Sequence, residues 1–304
     1  MTVAAAPSVQ GLDRLRPLLQ EVGDAKRVRT AAARGSLAEQ AFGRAWARLV
    51  EGEDAEQVAL SESAAAVARA RLAGIDAAVL ARAGLTPEQA SDVLRAGFDD
   101  VAAAVPSGVR DRLRDALPLL RPAGQAPPAL VPALNAQPRA GATAPGRARL
   151  VVEPPESHGD HCLTVAVYGV LVAPLVDADP VEPFLVGLAH HLHNVALPDA
   201  GFAGEVLLGD HLEPVLQELE RQELDRLPQP LADRLRELLR LRADAVAPAS
   251  QAFHAADVLD RVLQVHHHAR AAAFTAAQAL DELELVHDGP VQAFHLDVLR
   301  SAGL

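Results

Sequence analysis

The chain contains very little cysteine and few aromatic residues. Cys162 is the only cysteine among 304 residues, which excludes an internal disulfide framework and a zinc site built from several cysteines. Aromatic residues make up 3% of the chain, whereas 50% of it is hydrophobic, mostly as alanine and leucine. Strands favour β-branched and aromatic side chains, while alanine and leucine are good helix formers. The composition therefore predicts an all-α fold.

Positive charge is also scarce. Lys26 is the only lysine and the net charge is −12, which argues against binding to a nucleic acid polymer and against a polybasic membrane patch. No uncharged apolar run reaches the roughly 18 residues needed to cross a bilayer. Residues 1–10 lack the charged and then apolar pattern of a secretion signal. We therefore expect a cytoplasmic protein without a membrane partner. The sequence does not decide whether it forms a homo-oligomer.

The length favours two domains. Capping-box patterns at Ser36–Glu39 and Thr86–Gln89 mark helix starts in residues 1–121, where we find no catalytic motif and predict a helical domain of unknown role. Residues 122–146 are rich in proline, alanine and glycine, which favours an extended linker over a helix. Residues 147–304 then form the second helical domain.

The histidines are unevenly distributed. All twelve lie between His158 and His295. Three polar residues of one segment, His190, His193 and Asn194, are spaced i, i+3, i+4, which places them on one face if the helix continues to about residue 196. Imidazole and carboxylate groups bind divalent transition metals, and helical bundles assemble such sites from separate helices. The second half of the chain is therefore where a metal site is expected.

Four segments resemble motifs of the HD superfamily of metal-dependent phosphohydrolases, in the form found in its 5′-deoxynucleotidase-like branch. Glu156–Ala166 resembles the motif E-x-x-x-E-H-S-x-x-V-A, and Leu188–Val195 resembles the aaLLHDiG motif that names the superfamily. Glu205–Asp210 resembles E-V-L-x-G-D, and Phe253–Asp260 resembles the closing kaADxL motif. The resemblance covers about residues 147–270 and implies an HD-type helical bundle.

The resemblance also implies a bound divalent transition metal, with Mn, Fe, Co, Zn and Mg as candidates. In this interpretation the ligands are His161, His193, Asn194 and Asp257. Asn194 stands where the motif has aspartate, and the loss of that negative charge weakens binding of a hard cation. Further candidate ligands are His190, His211 and His254.

Catalytic roles follow from the same resemblance. Glu205 and Asp210 are expected to transfer protons, although the chain between Asn194 and Glu205 is longer than in the nucleotidase branch. Arg147 or Arg149, upstream of the first motif, is expected to bind the phosphate of a nucleotide or another small phosphate ester.

Three functions remain open at this point. The first is a metal-dependent phosphohydrolase. The second is a di-iron oxygenase of HD type, for which His211 and His254 supply additional ligands. The third is a degenerate HD domain that binds a nucleotide or a protein without catalysis, which the neutral Asn194 favours.

Overall fold

The computed structural model describes residues 9–31, 33–269, 275–282 and 284–304. It confirms the all-α prediction, because these residues form fourteen α-helices and one antiparallel pair of strands, β1 Arg29–Thr30 and β2 Ala33–Ser36. No helix in these ranges is long and apolar enough to span a lipid bilayer. The helices are α1 Leu12–Gly23, α2 Leu37–Val50, α3 Ala55–Leu72, α4 Ala77–Arg82, α5 Pro87–Asp99, α6 Ser107–Ala116, α7 Leu130–Ala136, α8 His158–Val172, α9 Val181–Ala189, α10 Gly201–Leu208, α11 Leu212–Leu224, α12 Gln229–Leu238, α13 Pro248–Ala269 and α14 Gln292–Ser301.

Both predicted capping boxes are confirmed. At the start of α2 the Ser36 hydroxyl accepts a hydrogen bond from the Glu39 N–H at 2.9 Å, and the Glu39 carboxylate accepts one from the Ser36 N–H at 2.9 Å. Thr86 and Gln89 form the same reciprocal pair at the start of α5. These bonds satisfy backbone donors that have no partner within the helix.

The proline-rich stretch 122–146 contains a helix, so the prediction of an entirely extended linker is wrong. Helix α7 buries Leu130, Val131 and Leu134 against the core. Pro132 is tolerated there because it lies in the first helical turn, where the backbone N–H has no partner within the helix. After α7 the chain is extended, and Ala142 pairs with Leu150 in an isolated antiparallel bridge.

Helix α8 lies at the centre of the molecule. All of its fifteen residues are buried, and it packs against α2 and α3 from the first half of the chain and against α9 and α13 from the second half. A single apolar cluster extends from Val9 to Ala302. The two predicted domains are therefore joined in one hydrophobic core.

A buried ion pair network also joins the two halves. Lys26, in a 3₁₀ turn that follows α1, donates hydrogen bonds to Glu156, at 2.5 Å, and to Asp260 of α13. Lys26 is 5% exposed. Burial alone lowers the pKa of Lys26, but the charges of Asp260 and Glu156 outweigh it and raise the net pKa. The ammonium is therefore charged in the core and compensates two buried carboxylates.

We expect Lys26→Met to reduce the free energy of unfolding by about 3–5 kcal/mol, because it leaves two carboxylates in the core without their counter-charge. Urea denaturation measures the loss. Arg29→Met is the matched control, since Arg29 forms a half-exposed pair with Glu39 and such pairs contribute under about 1 kcal/mol. Equal losses in the two variants would contradict the role given to Lys26.

A second polar contact connects α2 to α8. The Asp160 carboxylate accepts hydrogen bonds from the Ser36 hydroxyl and from the Ser157 N–H, the latter at 3.3 Å. Asp160 is 2% exposed. Burial is the largest influence and raises the pKa of Asp160 to about 7, although the hydrogen bond from Ser36 opposes it. The folded protein therefore retains a proton on Asp160 at a pH where the unfolded chain has lost it.

This difference makes stability depend on pH. Between about pH 4, the ordinary range of aspartate, and about pH 7, the folded state binds more protons at this site than the unfolded state. The contribution of Asp160 to the free energy of unfolding therefore falls as pH rises through this window and levels off above it. We expect Asp160→Asn to gain stability relative to the wild type between pH 5 and pH 8, measured by urea denaturation of both proteins. A constant difference at the two pH values would contradict the assignment.

Candidate metal centre

The geometry of the site depends on where α9 ends. The predicted helix to about residue 196 is wrong, because α9 ends at Ala189, His190 takes the C-cap position and the chain enters a 3₁₀ turn, Leu192–Val195. The Asn194 side chain donates to the Leu197 carbonyl at 2.9 Å, a local hydrogen bond of the kind that competes with helix formation. His190, His193 and Asn194 consequently do not share a helix face.

Four side chains converge at this break. The Nε2 atoms of His161 and His190 are 3.1 Å apart, and Asp257 Oδ1 lies 3.3 Å from His161 Nε2 and 4.0 Å from His190 Nε2. His191 joins them, because ring nitrogens of His161, His190 and His191 all lie within 4.8 Å of one another. The donors come from α8, from the end of α9 and from α13. The three imidazoles could hold a metal ion, and Asp257 lies beside two of them.

Each of the three imidazoles has a hydrogen-bond partner at Nδ1. The pairs are His161 with Asp260 Oδ2 at 2.7 Å, His190 with the Gly187 carbonyl at 2.8 Å, and His191 with Asn194 Oδ1 at 2.7 Å. Carboxylate and carbonyl oxygens only accept, so Nδ1 carries the proton and Nε2 carries the lone pair. Outer partners of this kind orient the histidines of metal sites and fix their tautomers.

The electrostatics keep His190 and His191 neutral and the Asp257 carboxylate ionised. Burial lowers the pKa of His190 and of His191 well below 6.5, and neighbouring histidines lower both further. Burial alone raises the pKa of Asp257, but the net pKa is held well below 3.8, and the positive charge of Arg261 is the largest of the influences that lower it. At neutral pH His190, His191 and Asp257 therefore present unprotonated donors to a cation.

The structure contains a second group of potential ligands behind this one. Glu156, His161 and Asp260 also offer donor atoms within 4.8 Å of one another. The Lys26 ammonium bonds to both carboxylates of this group. Lys26 thus balances one of their two negative charges, and Asp260 positions His161 for the first cluster.

Arg139 brings a positive charge to the first cluster. Its Nη1 donates to His191 Nε2 at 2.9 Å, and its Nε lies 3.8 Å from Asp199 Oδ2. Burial alone lowers the pKa of Arg139, but Asp199, Glu156 and other carboxylates outweigh it and raise the net pKa. The arginines chosen from the sequence lie elsewhere on the surface: Arg147 and Arg149 are exposed, and Arg149 bonds to the Ala200 carbonyl at 3.3 Å.

Two of the metal ligands predicted from the sequence, His193 and Asn194, take other positions. The ring centroid of His193 is 5.5 Å from that of His191, and His193 Nδ1 has no hydrogen-bond partner among the described residues. Burial lowers the pKa of His193 to about 4. Asn194 directs its amide oxygen at His191, so in this structure it orients a candidate ligand.

The other predicted site residues lie at the edge of the cluster or outside it. Asp210 and His211 are exposed in the turn after α10. Glu205 is exposed on α10 but close enough to Asp199, Arg261 and Arg139 to interact with their charges. His254 is buried one turn before Asp257, with its ring 5.5 Å from that of His295. Within the described ranges, neither His211 nor His254 belongs to a group of three potential ligands.

Sequence reasoning did not select His191, Asp260, Lys26 or Arg139 for this site. The sequence does contain a pattern that points to His190-His191. Leu-Ala-His-His at 188–191 resembles the L-L-H-D portion of the motif, three residues before the register that places the doublet on His193-Asn194. Lys26 and Arg139 lie in segments without any motif, and only the fold brings them to the cluster.

Comparison with known proteins does not extend these observations. No family model matches the chain, and no curated protein or solved structure matches it. The chemistry of the centre therefore has to be inferred from its own side chains, which are three imidazoles with Asp257 beside them and Arg139 at hydrogen-bond distance.

Proposed function

We propose that this protein is an HD-type, metal-dependent phosphohydrolase that acts on a nucleotide or another small phosphate ester. The observation that carries the proposal is the convergence of three imidazoles, with the Asp257 carboxylate beside two of them and the Arg139 guanidinium beside the third. Metal-dependent hydrolysis of a phosphate ester requires donors for the metal and, next to them, a cationic group that binds the phosphate.

The order of the donors along the chain supports the HD assignment. With the doublet laid on His190-His191, the pattern H, HD, D corresponds to His161, His190-His191 and Asp257. His161, His190 and His191 then form one group of potential ligands, and Asp257 lies beside His161 and His190. The departure from the motif is histidine at the second doublet position, which replaces a carboxylate donor with an imidazole.

The donor set narrows the choice of metal. Imidazole nitrogens suit zinc and iron, whereas magnesium and manganese prefer oxygen ligands. Among the candidate ions, zinc, iron and cobalt therefore fit three imidazoles and one carboxylate better than magnesium. A divalent ion bound there supplies Lewis-acid polarisation of a phosphate oxygen and lowers the pKa of a coordinated water.

The side chains around the centre have distinct tasks. The Arg139 guanidinium is 17% exposed, so it can leave His191 and bind a phosphate through two parallel hydrogen bonds. Glu205 lies at the exposed edge near Arg139 and Arg261, and its pKa is raised, first by its partly desolvated surroundings and then by Asp199. A raised pKa makes this carboxylate a stronger base than an ordinary glutamate, which suits a proton-transfer role.

A metal-free binding module is the second candidate, and one observation favours it. The Nε2 lone pair of His191 already accepts a hydrogen bond from Arg139, so a cation occupies that direction without a metal. In this alternative Arg139 binds an anionic ligand and no bond is cleaved. Nothing comparable supports the di-iron oxygenase, because the described residues bring no second ligand group to His211 or His254.

Metal content distinguishes a ligand set that includes His190 and His191 from the set with His193 and Asn194 that the sequence predicts. We expect wild-type protein purified without chelators to carry about one zinc or iron ion per chain by elemental analysis. His190→Ala and His191→Ala should lose most of it, because each removes an Nε2 donor of the cluster. His193→Ala is the matched control and should retain the metal. Loss in His193→Ala with retention in His190→Ala would overturn the proposed ligand set.

Activity tests the role of Arg139. We expect metal-dependent release of phosphate from at least one member of a panel of nucleotides and sugar phosphates. Arg139→Lys should lower kcat/KM roughly 10–100-fold, since lysine cannot form the two parallel bonds, while the metal content stays unchanged. Arg149→Lys is the control and should retain activity.

The same panel separates the two proposed functions. Anion binding to Arg139 that persists in a chelator, together with no hydrolysis by metal-loaded protein, would replace the hydrolase with the binding module. Hydrolysis that depends on both the metal and Arg139 would support the phosphohydrolase.

A further inference from the structure

A separate cavity lies in the first half of the chain, between α3, α4, α5 and the 3₁₀ turn Leu117–Leu119. Its volume is about 350 Å³, at the lower end of the range for small-molecule pockets. None of the candidate metal ligands lines it. The wall is mainly apolar and includes Ala65, Ala68, Ile75, Ala90, Leu94 and Leu117.

One guanidinium lies in this apolar wall. Arg69, in the last turn of α3, lines the cavity and is half-buried. In the part of the chain that the structure describes, no carboxylate forms an ion pair with Arg69. Burial and the like charge of Arg44 lower the pKa of Arg69 to about 10, although the charges of Glu62 and Asp76 oppose them, so it is still a cation at neutral pH.

The acids near Arg69 are already engaged. The Glu62 carboxylate bonds to Arg44 Nη2 at 2.6 Å and to Arg48 Nη1 at 3.1 Å. Asp76, which lines the same cavity, accepts the Val79 N–H at 2.9 Å as the N-cap of α4. Arg69 therefore has no direct hydrogen-bond or ion-pair partner for its side chain among the described residues, and an anion entering the cavity would supply one.

The charges define the anion. A single guanidinium matches a planar carboxylate, with which it forms two parallel hydrogen bonds. The Asp76 carboxylate on the same wall disfavours a dianion such as a phosphate monoester. The apolar remainder of the wall suits a hydrocarbon chain, and a volume of about 350 Å³ restricts that chain to a moderate length.

We propose that this cavity binds a medium-chain monocarboxylate, with its head group paired to Arg69 and its chain packed among Ala65, Leu94 and Leu117. The site is independent of the metal centre and of the hydrolase proposal.

Isothermal titration calorimetry with octanoate and with octanamide, its neutral analogue, tests the proposal on the full-length protein. We expect octanoate to bind roughly 10–100-fold more tightly than octanamide, the range for a charge-assisted hydrogen-bond pair. Arg69→Met should reduce octanoate affinity to that of octanamide. Arg82→Met, which removes an exposed arginine of α4 outside the cavity, is the matched control and should bind octanoate like the wild type.

Ala90→Leu provides a second, steric test. Ala90 is 4% exposed and lines the cavity, so the larger side chain should fill part of the volume and weaken both ligands. Absence of octanoate binding to the wild type, equal affinity for octanoate and octanamide, or unchanged affinity in Arg69→Met would each overturn the proposal. Tighter binding of octyl phosphate than of octanoate would overturn the assignment to a monocarboxylate.

Discussion

The compensation of two buried carboxylates by one ammonium is the interaction on which the rest of this structure depends. Lys26, the only lysine of the chain, forms ion pairs with both Glu156 and Asp260. Asp260 can then remain ionised in the core, where it holds the Nδ1 of His161 and turns the opposite nitrogen toward the candidate metal centre. Isolated charges are not tolerated in a protein interior. The first half of the chain therefore contributes directly to a site whose motifs all lie in the second half.

Local signals in the sequence determined what could be predicted. The capping boxes at Ser36 and Thr86 are hydrogen-bond patterns within four residues, so they were readable without a fold. The end of α9 could not be predicted in this way. Periodicity alone continues the helix through a segment in which the Asn194 side chain instead forms hydrogen bonds with His191 and with the Leu197 carbonyl. A break of this kind shifts the pair of candidate ligands from His193 and Asn194 to His190 and His191.

Contacts between distant segments were beyond the reach of pattern analysis. Arg139 follows a short helix in a proline-rich stretch, and nothing in its neighbourhood marks it as a site residue. Arg69 differs from Arg44 and Arg48 only in that the nearby Glu62 is already engaged by the other two. Which of several arginines lacks a partner depends on side-chain pairing, and the tertiary structure alone determines that pairing.

The histidine at position 191 has a consequence for how the centre meets its ligand. Two aspartates would balance a divalent ion, whereas Asp257 alone would leave such an ion with one positive charge that its ligands do not balance. The charge of Arg139 is offset by Asp199. The surrounding molecule carries a net charge of −12. This negative charge repels a phosphate at long range, and salt screens the repulsion beyond about 8–10 Å. Diffusion of a phosphate toward the protein would therefore be slow at low ionic strength and faster in physiological salt. Retention at the centre would depend on short-range attraction.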